Sequence, residues 1–469
     1  MVDLAKFERY MSQLCERLGH ADRHAAFVEY SRGLMLPIER KSIEPLAAHI
    51  DPLHVSAKHQ SLHHIVAKSA WSDEAVLSGV REWVRPALRL GRGSYWIVNE
   101  TDFPKKGQHS VGVARQYCGK LGKKNNCQVA VSLSLAADRG SLPIAFRLYL
   151  PEEWASDKRR RERAGVPAEI EFSTKPQIAL QQIRTAKVVG VPVGIVLADC
   201  GYGNSIEFRE SLDAIGLKYC VGVQPSTTVW AGERTARRPK IKKTDRGRPA
   251  TRLRRARGHE PFSVKALAFK LPTHAWRTLT WRHGSNAPLR SRFAALRVRV
   301  AHQDWRCGEL REEQWLLIDW PTSESEPVHY WLCTRLATAT LRTLVRTAMM
   351  HWRIERDHQE LQQEFGLSHY EGRGWRGFHH HATLCIAAYG FLLSQRLTPG
   401  GARENSARSE ASLLPEGYAP RGSRKDATPP SRPNRNPKAL ARSRHRRHAG
   451  SLPVVVRKNL SHAATRRYS

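Results

Sequence analysis

The sequence lacks the cysteine pairs that structural zinc sites and disulfide frameworks require. Its eight cysteines are scattered over 469 residues without a CxxC pair. It also lacks an apolar run long enough for a membrane span, and no apolar segment follows a basic N-terminus. We therefore expect a cytoplasmic protein with reduced, mostly buried thiols.

Acidic residues are scarce relative to basic ones. The chain has 77 Lys and Arg against 43 Asp and Glu, a formal net charge of +34 and a pI near 10.4. This excess is unusual for a metabolic enzyme and fits a polyanion, because each cation that meets a phosphate releases counterions. A membrane surface attracts the same charge, but no apolar segment accompanies it. The composition therefore predicts a nucleic-acid partner.

The N-terminal part of the chain shows helical periodicity. The clearest helix spans 71–88, with Ser72 as its N-cap. A second helix, 56–68, is rich in His and Lys, and it either enters a DNA groove or is an ordinary solvated helix. We predict that residues 1–90 form a helical domain that is a candidate for binding DNA ends.

A run of strand signals follows, first three in succession and then alternating with helices. The predicted strands are 94–98, 126–135, 142–150, 194–198 and 218–223. This order is that of the RNase H-like fold, an α/β fold with a mixed sheet flanked by helices. We assign residues 91–225 to the first part of such a core, with a flexible glycine segment at 201–203.

The remainder divides by composition into three segments. Residues 226–335 form a β-rich insertion with an exposed basic loop at 231–260, which has 12 Lys and Arg against 3 Asp and Glu. Residues 336–396 complete the core with helices, including one long helix over 338–365. The tail at 397–469 is rich in Pro, Ser, Gly and Arg, and we predict that it is disordered.

Phosphodiester cleavage by two metal ions needs two or three carboxylates held by rigid elements. An RNase H-like sheet supplies them from the ends of its first and fourth strands and from a later helix. Asp199 follows the buried fourth strand, where it serves either as a metal ligand or as an Asx-turn or N-cap residue. The first-strand position holds Asn99 instead of an acid, although Glu100 and Asp102 follow it.

The later helix offers several acids. Glu355, Glu360 and Glu364 all lie on it, and the pattern alone does not select one. The neighbouring Arg353 and Arg356 favour Glu355 modestly, because a metal-bound phosphate needs cations close by.

Three segments carry a family resemblance: NETDFPKKGQHSVGVARQYCGKLGKKNNCQVAVSLSLA, VLADCGYGN and HWRIERDHQELQQEFGLSHYEGRGWRGFHHHATL. They resemble the DDE transposases of bacterial insertion sequences, in the branch with a β-strand insertion between the second and third acids that is related to hairpin-forming cut-and-paste transposases. The resemblance covers roughly 5–395. It implies a two-metal Mg²⁺ or Mn²⁺ site, cleavage and strand transfer at transposon ends, and a nucleoid-associated protein. It also implies that the partner is double-stranded DNA with terminal repeats, bound by a dimer.

The resemblance assigns roles to individual residues. Asp199 matches the second catalytic Asp and Glu355 the catalytic Glu, both as metal ligands, while the first catalytic Asp falls on Asn99. An asparagine keeps a carbonyl oxygen but loses the charge that hard cations favour, which weakens metal binding. We regard Glu100 as a poor substitute, because residue 100 faces the opposite side of a strand from residue 99. Asp102 would require the turn to fold back.

Other positions also depart from the family pattern. Asp102 stands in place of a usual Gly, His351 in place of Arg, and Gln362 in place of a basic residue, while Ala348 replaces a Tyr that some relatives carry. The predicted phosphate contacts, each of which could instead be a solubilising charge, are Lys105, Lys106, His351, Arg353 and Arg356.

Three interpretations remain open at this point. The chain is a transposase whose cleavage is impaired by Asn99, or an inactive transposase remnant that only binds DNA. The third interpretation sets the resemblance aside and describes a generic basic nucleic-acid binder with a structural Asp199.

Overall fold

The computed structural model describes residues 3–90, 93–232, 234–237, 252–255, 258–283, 288–335 and 337–398. Nearly all of the tail predicted at 397–469, and much of the basic loop predicted at 231–260, lie outside these residues. The helices are α1 Leu4–Cys15, α2 His24–Leu34, α3 Ile43–Ile50, α4 Val55–His63, α5 Asp73–Leu88, α6 Glu152–Ala155, α7 Lys158–Ala164, α8 Lys175–Val188, α9 Cys200–Gly203, α10 Ile206–Ala214, α11 Val264–Lys270, α12 Leu341–Met349, α13 His351–Gln363 and α14 Trp375–Leu397. The strands are β1 Tyr95–Pro104, β2 Ala114–Cys118, β3 Lys123–Ala137, β4 Gly140–Leu148, β5 Ile195–Ala198, β6 Tyr219–Gly222, β7 Thr228–Ala231, β8 Phe262–Ser263, β9 Arg277–His283, β10 Pro288–Val300, β11 Gln314–Trp320 and β12 His329–Cys333.

All twelve of these strands belong to one mixed sheet. Its order is β2-β3-β1-β5-β6-β12-β11-β10-β7-β8, with β4 also paired to β3 and β9 to β10. β1, β5 and β6 are parallel, whereas β3 is antiparallel to β1 and β4 is antiparallel to β3. The order β4-β3-β1-β5-β6 is that of an RNase H-like core, so the predicted α/β fold class is confirmed.

The segment predicted as a β-rich insertion extends this core. β12 pairs antiparallel with β6, which would otherwise be the edge strand of the core. β11 and β10 then continue the same sheet. The insertion is therefore β-rich, as predicted, and its strands are hydrogen-bonded to the core.

The N-terminal helices pack against α14 in the same apolar cluster as the core sheet. Tyr10 Oη donates to Ala387 O at 2.9 Å, and Trp83 Nε1 donates to Ser394 Oγ at 3.1 Å. α14 is consequently buried nearly all round, between the N-terminal helices and β4. None of the helices in the described ranges is both long and apolar enough to cross a membrane.

The long helix predicted over 338–365 is two helices, α12 and α13, separated at Met350. Here the backbone turns more tightly than an α-helix, because Met350 N donates to Thr347 O and Arg353 N donates to Met350 O. No sequence signal marks this break, since Met350 is a good helix former with no proline or glycine nearby. The break begins a new helix four residues before Glu355.

Candidate active site

The first two predicted catalytic positions lie on neighbouring parallel strands. β1 pairs with β5 in a register that places Ile97 opposite Leu197. Asn99 lies two residues farther along β1, and Asp199 directly follows Ala198, the last residue of β5. Strands in a sheet are about 4.8 Å apart, so these residues are neighbours at the carboxyl edge of the parallel strands.

Asn99 belongs to the face of the sheet that α13 covers. Side chains alternate between the two faces of a strand. Ile97 and Leu197 share an apolar cluster with Ile354 of α13. Asn99 has the same parity as Ile97 in β1, so it occupies the face on which α13 packs, while Asp199 lies just beyond the end of β5.

Asp199 is exposed and begins a short helix. Its Oδ1 accepts from Gly201 N at 2.8 Å, which makes it the N-cap of α9. The segment 201–203, predicted to be flexible, is this helix. A Cβ on Gly203 would lie 1.9 Å from Gly222 O, so only glycine allows α9 to approach β6 so closely. The capping role proposed for Asp199 is therefore present in the structure, and it fixes the side chain at the strand end.

α13 carries Glu355 on its exposed side, between two buried residues that face the sheet. Ile354 lies in the cluster with Ile97, and His358 Nδ1 is 2.8 Å from Thr101 Oγ1. These contacts lie on β1 at levels before and after Asn99. The turn of α13 that carries Glu355 is thus held at the level of Asn99.

His358 connects α13 to both strands around Asn99. Its Nε2 is 3.4 Å from the hydroxyl of Ser132, the cross-strand partner of Asn99, and that hydroxyl donates to Asn99 O. Burial lowers the pKa of His358 to about 4, with a smaller effect from His351. A neutral ring that accepts from Thr101 at Nδ1 and donates to Ser132 from Nε2 satisfies both contacts. His358 is not among the predicted site residues, and its position three residues after Glu355 is the only signal for it in the sequence.

The two acids next to Asn99 point elsewhere. Glu100 is paired with Lys175 of α8 at 2.5 Å on the opposite face of the sheet. Burial raises the pKa of Glu100, and the charge of Lys175 partly offsets this effect. Asp102 Oδ2 accepts from Gly119 N at 2.5 Å and Lys120 N at 3.4 Å. Glu100 nevertheless lies near enough to Asp199 that the charge of Asp199 adds to the rise in the pKa of Glu100, whereas Asp102 is held by the turn at Gly119 and Lys120.

The predicted phosphate contacts differ in their availability. Lys106 and Arg356 are exposed, whereas Lys105 Nζ donates to Tyr370 O at 2.8 Å and burial lowers its pKa. Arg353 donates to Asp138 O at 2.5 Å, in the β3–β4 turn at the opposite edge of the sheet. His351 Nε2 is buried without a hydrogen-bond partner among the described residues.

The donor set retains two of the three anionic ligands expected for the predicted pair of Mg²⁺ or Mn²⁺ ions. It consists of two carboxylates, those of Asp199 and Glu355, and the neutral amide of Asn99. Within the described ranges, no three or more His, Cys, Asp or Glu side chains are grouped to hold a metal ion. Hard cations depend on anionic oxygen, so the amide removes a charge that the site needs.

Comparison with known proteins identifies the family. The family described as DDE superfamily endonuclease matches residues 13–288, a range that includes Asn99 and Asp199 and ends before Glu355. A probable transposase for insertion sequence element IS701 from Microchaete diplosiphon is 32% identical over 200 residues. That match covers 42% of this chain and 48% of the relative, so the chain spans about half the length of the curated relative it matches. Because the family match extends over more than half of the sequence, the chain belongs to the DDE superfamily endonuclease family.

Proposed function

We propose that the protein is an insertion-sequence transposase that acts at transposon ends and whose DNA cleavage is impaired by Asn99. The observation that supports this proposal is the parallel pairing of β1 with β5, whose carboxyl ends lead to Asn99 and Asp199, together with the packing of Ile354, the neighbour of Glu355, against Ile97. A third acid at position 99 would complete a carboxylate set of the kind that phosphodiester cleavage requires. The related IS701 protein, a probable transposase, supports the same activity.

Residues of the chain have separable roles in this proposal. Members of the family generally use divalent metal ions, which would activate the attacking oxygen and stabilise charge on the phosphate. Asp199 and Glu355 are the remaining anionic ligands for such ions. The exposed cations Lys106 and Arg356 would bind phosphates of double-stranded DNA. His358 positions α13 against β1, so it holds Glu355 at the level of Asn99.

Two ends must be brought together in transposition, so we further propose that the protein acts as a dimer on the terminal repeats. The helices within residues 1–90 are the proposed binding region for those ends. α4, which carries the His-rich segment, has exposed His63 and His64 at and beyond its C-terminal end. Exposure of these residues is compatible with DNA contact.

The alternative is an inactive remnant that binds DNA without cutting it. Three observations favour it: the neutral Asn99, the lack of a metal-holding cluster in the described ranges, and the engagement of Glu100 and Asp102 with other partners. The net charge of +34 fits DNA binding in both cases.

A cleavage assay separates the two functions. Purified protein is incubated with Mn²⁺ and linear DNA that carries the ends of its own element. The impaired transposase should nick slowly, and Asn99→Asp should raise the rate roughly 100-fold or more. Binding without cleavage by either protein supports the remnant. If the wild-type protein cleaves and Asn99→Asp leaves the rate unchanged, position 99 is not the first ligand position.

A further inference from the structure

One stretch of the chain beside the active site is free of acidic residues. Residues 103–137 have no Asp or Glu, while they include six Lys and Arg. The average over the whole chain is fewer than two basic residues for each acidic one. A stretch of this length with one sign of charge gives a local surface a positive potential that neighbouring acids do not cancel.

Most of these cations lie on a two-stranded antiparallel ribbon. β2 pairs with the first part of β3, from Ala114 opposite Cys127 to Cys118 opposite Lys123, and a 3₁₀ turn at Gly119–Leu121 joins them. We call residues 114–127 the basic ribbon. β1 ends at the level of Cys127, so the ribbon continues beyond the last strand position of β1.

The turn of the basic ribbon is attached to both β1 and α13. Asp102 of β1 accepts from the backbone of Gly119 and Lys120, and Lys120 Nζ is 3.4 Å from Gln362 Oε1 of α13. Asp102 is three residues from Asn99 along the strand, a separation of about 10 Å. The basic ribbon therefore folds back, so that its turn lies next to the carboxyl end of β1 and next to α13.

The outer side of the basic ribbon is unusually open. Arg115 and Tyr117 alternate with the less exposed Gln116 and the buried Cys118, and Tyr117 is 62% exposed. The residue paired with Tyr117 across the ribbon is Lys124, which is also exposed. The outer side thus combines cations with an aromatic ring and has no carboxylate.

We infer that the basic ribbon is a DNA-binding surface that holds the phosphate backbone of duplex DNA beside Asn99 and Asp199. The inference rests on the proposed function and extends it, because it assigns duplex contact to a surface other than the predicted phosphate contacts. Arg115 and Lys124 bind phosphates on the outer side, Lys123 binds them at the end of the ribbon next to its turn, and Tyr117 packs against the sugar-phosphate backbone. A two-stranded ribbon has the width that the major groove of DNA accepts. Phosphate contacts of this kind fix the duplex in position without reading its sequence.

The test compares two triple variants in which equal charge is removed. Arg115→Gln/Lys123→Gln/Lys124→Gln alters the basic ribbon and leaves Lys120 and its contacts intact. The control, Arg139→Gln/Arg184→Gln/Lys218→Gln, removes exposed cations from the β3–β4 turn, from α8 and from the residue before β6. Binding of both full-length variants to a fluorescent duplex is measured by anisotropy from 50 to 300 mM KCl.

The ribbon variant should bind more weakly to every duplex sequence. The slope of log K against log [KCl] should fall in magnitude by about 3, one unit for each lost phosphate contact, while the control changes by less than about 1. Equal slopes for the two variants overturn the inference and leave the proposed function standing. Failure of the wild-type protein to bind any duplex overturns both.

Folding of each variant is verified by circular dichroism and thermal unfolding. If the triple variant unfolds, the single variants Arg115→Gln and Lys124→Gln replace it, each with an expected slope change of about 1. A change no larger than that of Lys218→Gln then overturns the inference.

Discussion

The two faces of β1 differ in the charge of their side chains. On the face toward α13, Asn99 and Thr101 are neutral, and His358 is held neutral by burial. On the face toward α8, Glu100 is charge-paired with Lys175, and Asp102 caps the turn of the basic ribbon. The strand therefore has two carboxylates within three residues of Asn99, and neither is on the catalytic face.

This difference shows that an acidic residue next to Asn99 in the sequence does not supply negative charge on the face of the sheet that holds Asn99. A carboxylate that moves by one residue in a strand changes to the other face of the sheet. It then meets different partners, here an ammonium group and two backbone N–H groups. The pairing of Glu100 and Asp102 argues against either one serving in place of an aspartate at position 99.

The largest effect is expected for activity in the Asn99→Asp background. Glu355→Gln in this background should reduce cleavage of end-containing DNA by about 1,000-fold or more, because it removes an anionic ligand. Glu100→Gln should change the rate by no more than about threefold, because that carboxylate lies on the other face. Initial rates of nicking with Mn²⁺ measure both. A loss of the same size for Glu100→Gln would break the comparison between the faces.

The next largest effect is expected on stability, from loss of the buried His358 side chain that connects α13 to β1 and β3. His358→Ala should lower the free energy of unfolding by roughly 3 kcal/mol, because it leaves a cavity and removes the contacts with Thr101 and Ser132. Urea denaturation measures this loss. His63→Ala is the matched control, since this histidine is exposed on a helix, and it should change the value by less than about 0.5 kcal/mol.

The free energy of unfolding should fall in acidic solution, because buried histidines must be protonated. Burial lowers the pKa of His358 and of His381 to about 4, below the ordinary value of 6.5. The unfolded chain therefore binds protons more readily, and stability present above pH 6.5 is lost as the pH falls toward 4. Between pH 7.5 and 5 the loss is roughly 2 kcal/mol for each histidine.

Urea denaturation across that range tests this effect. The raised pKa values of Glu100 and Asp357 act in the opposite direction, so the difference between the wild-type protein and a His358 variant isolates the contribution of this histidine. His358→Asn should reduce the change in unfolding free energy between pH 7.5 and 5 by roughly 2 kcal/mol. An unchanged pH dependence in this variant would mean that His358 is not protonated preferentially on unfolding.

The smallest effect on stability is expected for Asp102, on the face of β1 opposite to Asn99. Asp102→Ala should lower the free energy of unfolding by about 1 kcal/mol or less, because its carboxylate is partly exposed. Hydrogen exchange at the amides of Gly119 and Lys120 should accelerate, since both donate to this side chain. Asp102→Asn keeps an acceptor oxygen and serves as the control. Acceleration in both variants alike would show that charge, rather than acceptance, anchors the turn.

Much of the fold was predictable because its signals are local. Apolar runs and alternation identified β1, β3, β5 and β6, and Ser72 caps α5 as predicted, with Ser72 Oγ accepting from Ala75 N. The break at Met350 was not predictable, because no helix-breaking residue marks it in the sequence. The pairing of β12 with β6 was equally hidden, since a sequence specifies which segments are strands but not which strands are neighbours.

The site was predictable only in part, for a related reason. Strand ends and helix periodicity indicate where acids meet, so positions 99 and 199 could be paired before the register was known. Side-chain partners at long range carry no such signal. The engagement of Arg353 with Asp138 O and of Lys105 with Tyr370 O depends on contacts over 215 and 265 residues of sequence.

The pairing of β12 with β6 has a consequence for the solubility of shortened proteins. β6 is almost fully buried, and its outer row of backbone N–H and C=O groups is satisfied by the insertion. Deleting the insertion would uncover an apolar strand edge, which is a template for intermolecular association. We therefore expect a shortened protein that lacks β12 to associate through β6 more readily than one that retains it, because β12 covers this edge of the core.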